Sequence, residues 1–374
     1  MSEFKVPLTF VQTVKNHPNA DRLDIVKIYD WEVVTQRGRY KPHDFVLYIP
    51  VDSILPRELE DKLFPPDSKI KLNNHRIRSI KLRGQISQGM IVDPHELLDD
   101  RTLAGYSIEA DLSEKLGIKK YEPEEKSLPA HMQMKSPKKN ANHSFRKYVD
   151  IENAKNYLRI FIDGEEVYIS EKLHGTSARF GYFPTEVNTL RKRVLKFFGQ
   201  LPEYEFCWGS RNVQIQMKGK HEGFYDIDLY TKISNQYDLK QHIPKGFGVY
   251  GEIVGDGVQK GYTYGCGRKE HKFYVYDVWN HKEGRWLNYE EFDNAVNSMG
   301  LEKVPKLYVG PYSKEIVDKL RTGDSEVTSK QKVREGIVVK PVVEEISSIG
   351  RKILKFINDD YYLKQAQEDG TEFH

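Results

Sequence analysis

The stretch Ser170-Glu171-Lys172-Leu173-His174-Gly175-Thr176 holds residues whose types and spacing could do chemistry. The run before it, Glu166-Val167-Tyr168-Ile169-Ser170, alternates apolar and polar residues and predicts a strand that delivers Lys172 at its end. A lysine amine becomes a nucleophile where burial or a neighbouring cation lowers its pKa. Gly175 lets the following backbone turn sharply or approach a ligand closely. A lysine beside a turn is usually a solvated surface residue, so the reading depends on the rest of the chain. No G-x-x-x-x-G-K-[ST] occurs. The Gly255–Gly261 stretch leads into Tyr262-Thr263-Tyr264 where a dinucleotide fingerprint would open a helix. A nucleotide, if one is used, is held by other means.

The chain must also supply the elements that position this lysine. Its 374 residues predict two domains with a substantial core, and 38% hydrophobic against 30% charged residues marks a globular chain. No apolar run approaches the roughly 18–20 residues of a membrane span, and Met1-Ser2-Glu3-Phe4-Lys5 lacks a signal-peptide core. Cys207 and Cys266 are too few for a disulfide framework or a cysteine-rich zinc site. These features predict an intracellular protein, cytoplasmic or nuclear, with no membrane partner; a monomer is expected. A net charge of +3 does not by itself point to nucleic acid, so any basic surface must be local.

Residues 1–120 predict short strands at Phe4–Val14, Leu23–Val34, Asp44–Val51, Arg76–Leu82 and Gln88–Val92, broken by Pro18-Asn19-Ala20-Asp21, Arg37-Gly38 and Pro65-Pro66-Asp67. Five short strands suit an OB-like β-barrel, and Asn16–Leu23 resembles the opening of OB-type tRNA-binding domains. Alternation puts Arg76 and Arg78 on one face, with Lys81 and Arg83 following. These four are candidate RNA-binding residues, although a solvated strand face would read the same. Proline and lysine over 121–144 predict a linker. Residues 145–374 then mix strands with helices at Asn288–Met299 and Ser313–Arg321, without regular βαβ alternation, which predicts an α+β domain.

Six short patterns in this second domain occur in one order. They are Lys172-Leu173-His174-Gly175, Gly209-Ser210-Arg211-Asn212, Val249-Tyr250-Gly251-Glu252, Phe273-Tyr274-Val275-Tyr276-Asp277, Glu335-Gly336-Ile337-Val338-Val339-Lys340 and Lys352-Ile353-Leu354-Lys355. In this order they resemble the covalent nucleotidyltransferase superfamily of ATP-dependent ligases and mRNA-capping enzymes. His174 stands where DNA ligases and capping enzymes usually carry Asp, as in one branch of RNA ligases. The N-terminal OB-like domain and Lys81-Leu82-Arg83-Gly84-Gln85-Ile86-Ser87-Gln88-Gly89 resemble the fifth family of ATP-dependent RNA ligases, the nick-sealing kind.

The resemblance implies an N-terminal OB-like barrel followed by an α+β nucleotidyltransferase domain. It implies ATP and Mg²⁺ or Mn²⁺ as cofactors, and nicked or broken RNA with 3′-OH and 5′-phosphate ends as partner. Lys172 would carry AMP, with Glu252 and Glu335 near the metal. His174 joins the catalytic set. Lys340, Lys355 and Lys352 would offset phosphate charge. Glu171, Gly175 and Phe273 would line the nucleotide, with Phe273 stacked on adenine, and Arg211 would hold a 5′-phosphate. The last pattern departs most from the family's K-x-K, which leaves Lys355 as the better placed of its two lysines. A chain starting near Asn142 would keep nucleotide capture. The rival readings are a GTP-dependent guanylyltransferase and a non-catalytic RNA- or tRNA-binding protein.

Overall fold

The computed structural model describes residues 4–65, 72–121, 141–215 and 228–368; most of the 121–144 stretch read as a linker lies outside them. These residues form two compact units. The first holds residues 4–121 with Glu152–Ile160 and 357–368, and the second holds 141–151 with 161–356. Both are thus discontinuous, where the sequence suggested a single cut.

The N-terminal unit is antiparallel β-structure. Thr13–Asn16, Leu23–Ile28 and Trp31–Gln36 form a meander, and Leu8–Phe10, Phe45–Ile49 and Met90–Val92 form a second sheet. The expected Leu23–Val34 strand is therefore a hairpin, turned at Tyr29-Asp30 where Tyr29 has φ 54°. The Phe45–Ile49 strand reads as a continuous apolar run because both its faces are covered. Leu47 and Ile49 join one apolar cluster, Val46 and Tyr48 the other.

The segments from later in the chain close this unit. Trp31 is buried, its indole N–H donates to Asn156 Oδ1 at 2.6 Å, and Tyr362 packs on it at 6.4 Å between ring centres. Lys155 Nζ donates to Gln88 Oε1 at 2.5 Å and to Asp359 Oδ1 at 2.9 Å, lying 5.0 Å from the Trp31 ring. This packing bears on a chain starting near Asn142, which is expected to keep nucleotide capture. Such a chain would keep Asn156 and Tyr362 but lose the Trp31 surface that they cover.

In the second unit one sheet runs in the order Leu354–Ile357, Gly336–Pro341, Glu166–Lys172, Lys306–Pro311. The other runs Tyr204–Ser210, Thr176–Pro184, Phe247–Gly255, His271–Asn280, Arg285–Trp286. A core that includes Phe180, Val249, Phe273, Val275 and Val278 packs under the second sheet, with Phe292 and Val296 of the Tyr289–Ser298 helix. That helix starts where its sequence says it should. Asn288 and Glu291 form a capping box, and Gly300 follows the helix at φ 67°. Among the described residues no helix is long and apolar enough to cross a membrane.

The Trp31 contacts give a direct test of the closed N-terminal unit. Trp31→Ala is expected to cost roughly 3–5 kcal/mol, as for a buried large aromatic, measured by denaturant unfolding. A loss below about 1 kcal/mol would mean that these segments do not stabilise the unit.

Candidate active site

Lys172 ends the last strand before the chain passes from one sheet to the other. The Glu166–Lys172 strand pairs antiparallel with Gly336–Pro341 so that Lys172 lies opposite Gly336. That register puts Glu335, one residue earlier, beside the amine: Lys172 Nζ donates to Glu335 Oε1 at 2.6 Å. Four residues later the chain enters Thr176–Pro184, where Ser177 lies opposite Glu252. The second carboxylate is thereby brought under the same turn, and the Gly175 N–H donates to Glu252 Oε1 at 3.1 Å. A Cβ on Gly175 would lie 2.2 Å from the Ile253 carbonyl oxygen and 2.9 Å from Glu252 Cγ. Glycine is what allows this approach.

The connection that follows the Phe247–Gly255 strand clamps the turn. The His174 N–H donates to Tyr264 Oη at 2.7 Å, and Gln259 Nε2 donates to the Gly175 carbonyl at 2.9 Å. Gln259 and Tyr264 were not candidates on sequence, because only long-range folding brings residues 84 to 90 positions away onto the turn.

The two carboxylates fit a cation. Burial pushes the Glu252 carboxyl up to about 8; Lys172 pulls against that, and Glu335 adds to it. Glu335 is itself buried, and its Oε2 has no hydrogen-bond partner among the described residues, with His174 Nδ1 at 3.9 Å. Poorly compensated, buried carboxylate oxygens are a setting that a hard dication suits. Among the described residues no three His, Cys, Asp or Glu side chains gather as a ready metal cage. A metal held by Glu252 and Glu335 would therefore need further oxygens from phosphate or water.

Arg211, just past the Tyr204–Ser210 strand, interacts electrostatically with Glu252 and Tyr276 and forms an ion pair with Asp150. Lys355 lies on the strand next to Gly336–Pro341. Glu171 alternates away from Lys172. It is buried, with its carboxyl raised by that burial, and accepts the Glu326 N–H at 2.8 Å.

Four expected roles meet a different placement. Phe273 is fully buried, edge-on to Phe180 at 5.1 Å, and fills the space over Gly251, where a Cβ would meet its ring at 2.4 Å. It has no free face for adenine. On that strand Tyr276, partly exposed and hydrogen-bonded to Ser177 Oγ at 2.7 Å, is the ring that interacts with Glu252. Lys340 lies opposite Tyr168, four residues or about 13 Å along the strand from Lys172. Its amine is 3.3 Å from Asp277 Oδ2, in a buried cluster with Arg351 at 2.6 Å and the Tyr148 hydroxyl at 2.8 Å. Burial alone would raise the Asp277 carboxyl; Arg351 and Lys340 hold it below its ordinary value. Lys352 pairs with Glu165 at 2.5 Å and Glu345 at 3.0 Å, beyond the far end of the Lys172 strand. Arg76 is bound inside the N-terminal unit by Asp52 (2.6 Å from Nη2) and by the Tyr121 ring at 3.6 Å. Arg78 is partly buried, whereas Lys81 and Arg83 are exposed on the Ser79–Leu82 strand and its hairpin turn.

Residues 165–357, more than half the chain, match the family model described as RNA ligase. The chain belongs to the RNA ligase family. Residues 6–94 of this ligase match a model described as an OB-fold domain. Its fold is similar to that of the Naegleria gruberi RNA ligase, solved as an arginine-to-alanine mutant with ATP and Mn. That match has a TM-score of 0.73 and 19% identity over 98% of this chain and 100% of the other. The same protein with PPi gives 0.74 and 20% identity, over 98% and 99%. A lysine-to-methionine mutant with AMP and Mn gives 0.73 and 19%, over 97% and 99%. No curated protein matches the sequence.

The raised Glu252 pKa makes a prediction for the metal-free protein. Between the ordinary carboxyl value of 4.5 and about 8 the folded state holds the proton that the unfolded state has lost. Stability therefore falls as pH rises through that window and levels off above it. Glu252→Gln should flatten that slope and make the protein more stable than wild type at about pH 8, read from denaturant midpoints. An unchanged slope would place the Glu252 carboxyl in water.

Proposed function

We propose that this RNA ligase is ATP-dependent and joins 3′-OH to 5′-phosphate ends, sealing nicks, through a lysyl-AMP intermediate on Lys172. The observation that carries the reading is the Lys172 amine 2.6 Å from Glu335, on a turn that Glu252 also braces. Three displacements at phosphorus account for the joining. Lys172 Nζ, having given up its proton, bonds to the α-phosphorus of ATP, and the bond to pyrophosphate breaks. An oxygen of the RNA 5′-phosphate then bonds to that phosphorus and frees the lysine. Finally the 3′-hydroxyl oxygen, losing its proton, bonds to the RNA phosphorus and AMP departs. Covalent catalysis splits one difficult exchange into easier ones.

Glu335 is the nearest acceptor for the Lys172 proton. Glu252 and Glu335 would hold Mg²⁺ or Mn²⁺, whose charge would stabilise phosphate oxygens and favour the neutral amine. Arg211 offers a planar donor for the 5′-phosphate. Lys355 is the candidate for offsetting charge on the nucleotide, and Tyr276 for stacking on its base. The N-terminal OB-fold unit would grip RNA, with exposed Lys81 and Arg83 as its phosphate contacts. The Naegleria ligase, of the same fold, was solved with ATP and Mn, with AMP and Mn, and with PPi, which supports the choice of nucleotide and metal.

Incubation with α-labelled ATP or GTP, followed by a nicked duplex of defined ends, tests this reading. Label should come from ATP, need a divalent cation, and leave the protein as the nick is sealed. Lys172→Ala should abolish labelling, and Glu252→Ala and Glu335→Ala should each slow it on the order of 100-fold or more. Labelling from GTP alone would make the protein a guanylyltransferase, and none from either nucleotide would leave it a binding protein.

A further inference from the structure

The Thr176–Pro184 and Tyr204–Ser210 strands are joined by a connection that carries an eight-residue helix, Leu190–Phe197. It is capped well: Thr189 accepts the Lys192 N–H. Yet no residue of the helix is buried. Lys192 ties it down through Glu205 Oε2 at 2.6 Å, with Leu195 partly covered beside it. The other apolar residues of the helix face solvent, Leu190 77% exposed, Val194 48% and Phe197 84%, as does Phe198 just after it at 65%. An apolar face is normally what holds a helix to its core. Here it is turned outward, together with exposed Arg191, Arg193 and Lys196, and the helix carries no acidic residue.

Charge decides what covers such a face. A protein partner of ordinary composition would not need three cations that have no ion pair among the described residues, whereas a polyanion with flat apolar surfaces needs both features. Nucleic acid has both, and the exposed rings of Phe197 and Phe198, edge-to-face at 5.3 Å, offer ring faces beside cations on which unpaired bases stack. An anionic membrane is the other polyanion with an apolar interior. A single helix of two turns presents little area for insertion, and the chain acts on RNA by family. We infer that Phe197 and Phe198, with Arg191, Arg193 and Lys196, form an RNA-contact surface of the catalytic unit that binds unpaired nucleotides flanking the join.

Position adds a length requirement. The helix is at the Pro184–Tyr204 end of the hairpin, whereas Thr176 and Ser210 lie at the Lys172 end. The eight steps from Thr176 to Pro184 span about 26 Å, on the order of eight nucleotides of a stacked strand at roughly 3.4 Å each. Only RNA reaching that far from the break can use the surface.

The inference rests on the ligase reading for its substrate, and the test separates the two. The full-length protein, Phe197→Ala/Phe198→Ala and Arg191→Ala/Arg193→Ala/Lys196→Ala are compared by AMP labelling and by binding of nicked RNA. The nicked RNA is prepared with and without a single-stranded flank of about a dozen nucleotides, longer than the span above. Labelling should be unchanged in both variants. The phenylalanine pair should weaken binding of flanked RNA about tenfold or more and leave the unflanked form alone. The cation variant should lower the slope of log affinity against log salt by about two, at roughly 0.7 per lost phosphate contact. Unchanged affinity and slope in both variants would overturn the inference. So would co-sedimentation of the wild type with phosphatidylserine vesicles that the phenylalanine pair abolishes while RNA binding stays intact. Loss of wild-type labelling alone would instead count against the ligase reading.

Discussion

The contact between the Lys172 amine and Glu335 is set by strand register, and the rest of the candidate site depends on it. Lys172 faces Gly336 across an antiparallel pair, so the residue before Gly336 lies at the tip of the lysine. A slip of one residue would turn the lysine to the other face of the sheet. What holds the register is the core packing of Val167, Ile169, Ile337 and Val339, each with essentially no exposed surface. The Lys172–Glu335 pair is held by core packing along the whole strand, and its own ion pair need contribute little.

A second constraint comes from joining two sheets by a three-residue turn. The turn has to bring its backbone against the Glu252 strand, and only a residue without a side chain fits at Gly175. Tyr264 and Gln259 then satisfy polar groups of the turn that would otherwise be left unpaired. The result is a short, braced loop carrying an amine between two carboxylates, one with its pKa raised by burial. Such a site keeps the Glu252 carboxyl protonated in the free protein, and a bound cation would favour release of that proton.

Much of this was legible in the sequence, and what was not has specific physical causes. Lys172, Glu252 and Glu335 could be named because six short patterns in one order resemble those of the covalent nucleotidyltransferases, and the structure brings the three side chains to the turn between the sheets. Phe273 was misplaced because a pattern does not say which face of a strand a residue takes. The open space over Gly251 draws that ring into the core, and the next ring on the site side is Tyr276. Lys340 and Lys352 read as phosphate ligands because sequence cannot show that Asp277, Glu165 and Glu345 are folded against them. Arg76 likewise looked free until Asp52 and Tyr121 enclosed it. The barrel class followed from short strands and turn residues, but residues 152–160 and 357–368 belong to its unit through contacts across more than a hundred positions.

Peptide mapping by mass spectrometry, after incubation with ATP and a divalent cation, tests the central claim most directly. The account predicts one adenylyl group per chain, attached through an acid-labile bond to Lys172. Adenylylation of another residue, with Lys172 unmodified, would contradict it.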